Sequence, residues 1–220
     1  MRERKRGLSE LNSYLEDRLK LGAWNTLFEL SEQAKPAGER PDTVVEIRQQ
    51  PWVWRESASL AAEHYVTVRE CLDGVDSIYM TGAGSSVLLA QGLDLTLGWK
   101  LGRPCMAVPT TDLILDSEAY LPFGENGLLV SFSRSGASPE SFEAIAAVRK
   151  SHPGFKHLLI TCNPEGELIQ RFSGDKDFHA IALHPATCDK SLAMTSSFTS
   201  MLISGQMLGF QDGPSSYLEH

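Results

Sequence analysis

From residue 75 onward, short apolar runs alternate with longer stretches whose hydrophobic positions recur every three or four residues. The runs Ser77–Thr81, Cys105–Val108, Gly127–Phe132, Lys156–Cys162 and Phe178–Ala182 have the length of buried strands. The segments Ser86–Lys100, Pro139–Lys150, Glu165–Phe172 and Thr195–Phe210 read as helices. Strands and helices in turn predict an α/β domain with a five-stranded parallel sheet covered by helices on both faces. Right-handed crossovers make the doubly wound, flavodoxin-like strand order the expected one.

The first 74 residues read differently. Leu8, Leu11, Leu15 and Leu19 form the stripe of an amphipathic helix, and Trp24 to Leu30 continues it or starts a second. Lys35-Pro-Ala-Gly-Glu-Arg-Pro41 is a loop. One helix is expected from about Thr43 and another from Pro51 towards Cys71, with Trp52 and Trp54 as core or docking residues. Residues 1–74 are therefore expected to be a helical extension packing on the domain of residues 75–213, with a tail at 214–220. Leu218-Glu219-His220 looks like the start of a polyhistidine tag. The helix around Val87–Leu97 is apolar nearly all round, which implies burial against the sheet on one side and a partner subunit on the other. A homodimer is the expectation.

Candidate chemistry lies in two strand-to-helix loops. Leu128-Leu-Val130 leads into Ser131-Phe-Ser-Arg-Ser-Gly-Ala-Ser-Pro-Glu140. Ser133, Ser135 and Ser138 are compact donors, Gly136 allows a tight turn, and Pro139 suits the first helical turn. Free N–H groups and the positive end of the helix dipole then face the loop, and a phosphate suits both. Only Arg134 brings charge. A plain Ser-rich turn with Ser138 as N-cap is the alternative. The second loop, Gly82-Ala-Gly-Ser-Ser86, follows another strand and opens another helix. It lacks the third glycine of a dinucleotide fingerprint, where Val87 stands, and the Gly-Lys-Ser/Thr ending of a P-loop. The pairing of two such loops raises the signal above either alone.

Composition narrows the classes. A net charge of −8 argues against a nucleic-acid surface, although the first residues are basic. No apolar run approaches the length of a membrane span, so no membrane association is expected. Cys71, Cys105, Cys162 and Cys188 form no Cys-x-x-Cys pair, and the six histidines show no metal-ligand spacing. No metal or cofactor is implied, and the cysteine usage suits a reducing cytoplasm. Cys105 and Cys162 are expected in buried strands.

Gly82-Ala-Gly-Ser-Ser86 and Ser133-Arg-Ser-Gly-Ala-Ser138 resemble the two phosphosugar-binding loops of the sugar isomerase (SIS) domain. Thr43-Val-Val-Glu-Ile-Arg-Gln-Gln-Pro-Trp-Val-Trp54 and Asp189-Lys-Ser-Leu-Ala-Met-Thr-Ser-Ser-Phe-Thr-Ser-Met201 resemble segments of its tagatose-6-phosphate ketose/aldose isomerase branch, also described as galactosamine-6-phosphate deaminase/isomerases. The resemblance runs from about residue 10 to about 211. It implies a sugar 6-phosphate as ligand. Gly84, Ser85, Ser86, Ser133, Arg134, Ser135, Gly136 and Ser138 would hold the phosphate, and Asp189 would meet the sugar hydroxyls. Synthase relatives carry a lysine where this chain has Ser196, a departure that weighs against lysine-dependent chemistry. The resemblance places the catalytic carboxylate and ring-opening histidine in a second SIS domain, so this chain alone is expected to bind without turning over. Glu140 reads as a complement to the helix dipole, His64 as a helix-face residue and Lys190 as a solvated charge. The alternative function is a phosphosugar sensor, but residues 1–74 show no basic recognition helix. Which sugar phosphate is bound, and whether the parent protein deaminates or only isomerises, stays open.

Overall fold

The computed structural model describes residues 42–219. The leucine stripe at residues 8–19, the Trp24–Leu30 segment and the loop at 35–41 lie outside the described residues. The sheet has five strands, β1 Ser77–Gly82, β2 Cys105–Ala107, β3 Gly127–Ser133, β4 Lys156–Thr161 and β5 Phe178–Ala182, in the order β2-β1-β3-β4-β5. Every pairing is parallel. This is the doubly wound order expected from the alternation of elements.

The strands are apolar runs because both faces of the sheet are covered. Side chains alternate along each strand, so successive residues feed two cores. Ile78, Met80, Leu128, Val130, Leu158 and Ile160 point to one face. There they pack with Val68 and Leu72 of α2 (Tyr65–Leu72), Leu89, Leu93 and Leu97 of α3 (Ser85–Leu101), and Met201 of a later helix, Ser196–Gln206. Tyr79, Leu129 and Leu159 point to the other face, onto Leu113 of α4 (Thr110–Tyr120), Ile145 and Val148 of α5 (Pro139–Ser151), and Leu168 of α6 (Glu167–Phe172). The later helix is α7, and α8 is Pro214–Leu218.

Three expectations need correction. Pro51 starts no second helix, because α1 runs from Asp42 to Glu63 with Pro51 inside it. Pro51 is on the exposed side of α1, where the carbonyl it leaves unpaired can be hydrated. The break comes instead at His64, between α1 and α2. Second, helix α4 went unread: Leu113-Ile114-Leu115 has no helical period, and the helix is kinked at Asp116 (φ −158°, ψ 83°). Third, Cys105 is only half-buried, because β2 is an edge strand, whereas Cys162 is fully buried. All four cysteines are free thiols.

Trp52 and Trp54 are not core residues, being 46% and 36% exposed. Trp54 donates its indole N–H to Thr199 Oγ1 at 2.7 Å, and Trp52 lies edge-on to His184 at 5.0 Å. Helix α3 is two-faced in space: Leu89, Ala90, Leu93 and Leu97 are buried, while Leu88, Leu95 and Trp99 are exposed. Within the segment read as a tail, Tyr217 of α8 is buried and donates to the Ile203 carbonyl at 2.8 Å. No described helix is long and apolar enough to cross a membrane.

At the amino end of β4, His157 is 2% exposed and neither ring nitrogen has a hydrogen-bond partner. Burial pulls its pKa down from 6.5 to about 3, the nearby Arg149 adds to that, and Asp175 opposes it. A depressed folded-state pKa means that the unfolded chain takes up the proton first. The stability held above pH 6.5 is then lost as pH falls towards 3. The expected outcome is a wild-type Tm that drops between about pH 6.5 and pH 5, before most carboxylates titrate, and a flatter profile for His157→Leu. Parallel profiles for the two proteins would rule out His157 as the source.

Candidate functional site

The strand order reverses at β1, whose chain leaves towards β2 while β3 lies on its other side. Ligands of such sheets sit beyond the carboxyl ends at this reversal. Gly82 and Phe132 are in register there, so the loops following β1 and β3 emerge side by side.

The first loop turns back so sharply that a Cβ on Gly82 would lie 2.5 Å from Ser86 Cβ. Gly84 follows at φ +56° as the N-cap of α3, with no side-chain cap on the helix. The N–H groups of Ser86 and Val87 turn back onto the Ala83 and Gly84 carbonyls (3.1 and 3.3 Å), which leaves the serine hydroxyls as the donors this loop offers. Ser85 is exposed and Ser86 buried.

The second loop is tied to itself. Ser133 Oγ accepts from the Gly136 N–H (3.2 Å), Ser135 Oγ from the Ala137 N–H (3.3 Å), and Ser138 Oγ from the Ser141 N–H (3.3 Å). Ser138 also pairs with the Ser141 hydroxyl at 2.7 Å. Each serine oxygen accepts from the chain, which leaves the hydroxyl hydrogens of Ser133 and Ser135 for a ligand. Gly136, at φ +62°, has α6 behind it: a Cβ there would meet Gly166 Cα at 3.2 Å. Asn163 donates to the Ser135 carbonyl at 2.9 Å and fixes the loop from the β4 side.

Six of the residues picked from the sequence, Ser85, Ser86, Ser133, Arg134, Ser135 and Ser138, line one pocket of about 250 Å³. Gly84 and Gly136 shape its loops rather than line it. Sequence reading missed Ser141, Leu192 and Met194 in the lining. Ser141 had a signal, since it falls one helical turn after Ser138. The other two lie in the Asp189–Met201 segment, whose signal was the resemblance alone, since only the tertiary fold brings the loop after β5 to this spot. A larger groove of 490 Å³ beside α5 and α6 is lined by Glu143, Glu167 and Arg171 and lacks converging hydroxyls.

Arg134 is the charged residue of the lining, and its Nη1 donates to the Ser191 carbonyl at 3.0 Å. Glu140 is exposed in the first turn of α5 and outside the lining, where it complements the helix dipole. Asp189 is outside the lining too. Its carboxylate accepts from the N–H groups of Thr195 (2.7 Å), Ser196 (3.1 Å) and Ser197 (2.9 Å) and from the hydroxyls of Thr195 (3.2 Å) and Ser197 (2.5 Å). These bonds make Asp189 the cap of α7. Among the described residues no group of His, Cys, Asp and Glu could hold a metal ion.

The SIS domain model matches residues 72–210. The chain belongs to the SIS domain family. A Streptomyces coelicolor protein named AgaS is 40% identical over 166 residues, 73% of this chain and 43% of that protein. D-galactosamine-6-phosphate deaminase AgaS of Escherichia coli O157:H7 is 35% identical over 167 residues, 74% and 44% of the two chains. The crystal structure of tagatose-6-phosphate ketose/aldose isomerase from Escherichia coli superposes with a TM-score of 0.73 at 31% identity, covering 81% of this chain and 50% of that one. This SIS domain chain therefore spans less than half the length of the curated relatives it matches.

Asp189→Ala would leave the N–H groups of Thr195, Ser196 and Ser197, at the start of α7, without their acceptor. We expect the variant to lose roughly 3 kcal/mol of unfolding free energy, measured by urea denaturation. A loss below about 1 kcal/mol would mean that water replaces the carboxylate at no penalty, contrary to the burial of this end.

Proposed function

We propose that this SIS domain grips the phosphate of a sugar 6-phosphate between Gly84-Ser-Ser86 and Ser133–Ser138. On this reading it forms the phosphosugar-holding part of an amino-sugar-phosphate deaminase or aldose/ketose isomerase. The observation that carries the reading is the convergence of hydroxyls from two loops on one pocket at the strand-order reversal. Residues 75–213 are the binding unit. Relatives named for galactosamine 6-phosphate and tagatose 6-phosphate support that substrate class.

The two relatives' names fit one chemistry. Moving a proton from C2 to C1 of an open-chain aldose gives a ketose. The same shift in a 2-amino aldose gives a C2 imine, and water then releases ammonia and leaves the ketose. Deamination of a 2-amino-galactose 6-phosphate therefore yields tagatose 6-phosphate. Both routes need a base; the pocket's lining contains hydroxyls, one guanidinium and apolar groups, with no carboxylate or imidazole. The domain's part is binding: energy from the non-reacting phosphate positions the reacting carbons. The proton-transferring groups come from elsewhere in the parent protein. A sensor reading is less well supported, because the matched relatives carry a deaminase name.

A soluble sugar phosphate and four free cysteines fit work in the cytoplasm. Leu88, Leu95 and Trp99 give α3 an outward apolar stripe at helical spacing, and a homodimer is the reading that covers it. Light scattering at micromolar concentration should give twice the chain mass, and a monomer mass throughout would exclude the dimer.

A hydrogen bond to a charged group is worth about 1.5–3 kcal/mol, and tenfold in affinity is about 1.4 kcal/mol. Ser135 is exposed, so Ser135→Ala should leave the fold intact. Its affinity for tagatose 6-phosphate in calorimetry should drop about tenfold or more. Unchanged affinity would remove Ser135 from the site.

A further inference from the structure

A buried carboxylate that lies outside the pocket has partners that lead directly to its wall. Glu46 on α1 is 5% exposed and accepts from the backbone N–H of Lys190 (2.6 Å), the N–H of Ser191 (3.1 Å) and the Ser191 hydroxyl. One turn further on, Gln49 donates to the Ala186 carbonyl (2.7 Å) and to Ser196 Oγ (3.1 Å). The Ser196 hydroxyl in turn donates to the carbonyl of Glu46 at 2.6 Å. From the other side, Arg134 of the second serine loop donates to the Ser191 carbonyl. Ser191 is thus held between α1 and the loop that carries Ser133 and Ser135.

The residues that follow Ser191 matter to the pocket. Leu192 and Met194 stand in its lining, yet Leu192 is 97% exposed. Packing does not hold that side chain, so its place is set by the backbone on which it hangs. A carboxylate so buried is unfavourable unless its lone pairs are used. Here both oxygens take charge-assisted hydrogen bonds from one short stretch of loop. An amide or apolar side chain could fill the same space on α1 but could not accept from all three donors.

We propose that Glu46 is a positioning residue of this pocket, a buried carboxylate on α1 that fixes Lys190 and Ser191 so that the wall carrying Leu192 and Met194 faces the sugar. The inference rests on the sugar-phosphate reading above. It assigns Glu46 to the part of the ligand beyond the phosphate, since the hydroxyls of the two serine loops do not depend on it.

Calorimetric titration of wild type, Glu46→Gln and Ser191→Ala with inorganic phosphate and with tagatose 6-phosphate separates the cases. Ser191→Ala removes one hydroxyl from a half-buried loop residue, so it keeps the test open if Glu46→Gln fails to fold. Both variants should bind tagatose 6-phosphate more weakly, Glu46→Gln by about tenfold, with inorganic phosphate affinity changed by less than about twofold. Equal losses for the two ligands would overturn the assignment, because they would mean general damage to the site. Unchanged affinity for tagatose 6-phosphate in a folded variant would overturn it too. Wild type that binds neither ligand would bring down the sugar-phosphate reading and this inference with it. Wild type that binds both ligands while the variants keep their ratio would sink this inference alone.

Discussion

The pairing of β1 with β3 is the constraint on which the site depends. Six consecutive residue pairs, from Ser77 with Gly127 to Gly82 with Phe132, hold the two strands in parallel register. Register in a sheet buried on both faces is strongly specified, because a one-residue slip would exchange the two cores. Ile78 and Met80 would then meet the α4 and α5 side, and Tyr79 the α3 side. The fixed register also fixes where each strand ends. Both ends fall together at the place where the strand order reverses, and two loops of small polar residues emerge there with no strand between them. Hydrophobic packing on the sheet faces thus determines the spacing of the hydroxyls at its edge.

A second constraint is polar and works through buried carboxylates. The stretch from residue 184 to 195 has little regular structure, with one short 3₁₀ turn at Pro185–Thr187. Such a segment must find partners for its N–H groups or leave them unsatisfied in the interior. Asp189 takes the first N–H groups of α7, and Glu46 takes those of Lys190 and Ser191. Neither acid forms an ion pair with a basic side chain among the described residues. Both are stabilised by hydrogen bonds to the main chain, which are strong when the acceptor is charged. Positions 189 and 46 thus carry carboxylates that serve the backbone as acceptors.

That division explains what could be read from the sequence. The five strands and their order followed from apolar runs separated by helical spacing, because a parallel sheet is buried on both sides and leaves that plain trace. The serine loops were legible for a local reason: strand, glycine, hydroxyls and a proline-started helix lie next to one another in the chain. Helix α4 was not legible, since its kink at Asp116 breaks the period and its exposed Leu115 mimics a buried position. Pro51 misled because its helix-breaking effect depends on whether the orphaned carbonyl can reach water. Asp189 stood out by resemblance, and its cap on α7, made to groups six to eight residues further along the chain, left no trace in hydrophobic spacing. Glu46, Leu192 and Met194 fall in segments that stood out only by resemblance, and their individual roles were not legible, because their contacts join segments that only the tertiary fold brings together.

The second loop satisfies its own donors. The N–H groups of Gly136, Ala137 and Ser141, which a phosphate could use, are taken by the hydroxyl oxygens of Ser133, Ser135 and Ser138. An incoming anion therefore either leaves those bonds in place and uses only the outward hydroxyl hydrogens, or displaces the serine oxygens and takes the N–H groups itself. The first route keeps the loop rigid and gains only new bonds. The second exchanges neutral acceptors for a charged one, and such a bond is stronger. Gly136 at φ +62° and the Asn163 bond to the Ser135 carbonyl hold the backbone whichever route is taken. The loop thus presents its donors without reorganising its main chain, which lowers the entropic cost of binding. A neutral cradle of this kind suits a ligand that must also leave, since a single guanidinium at its rim supplies attraction without the strong electrostatic hold of several cations.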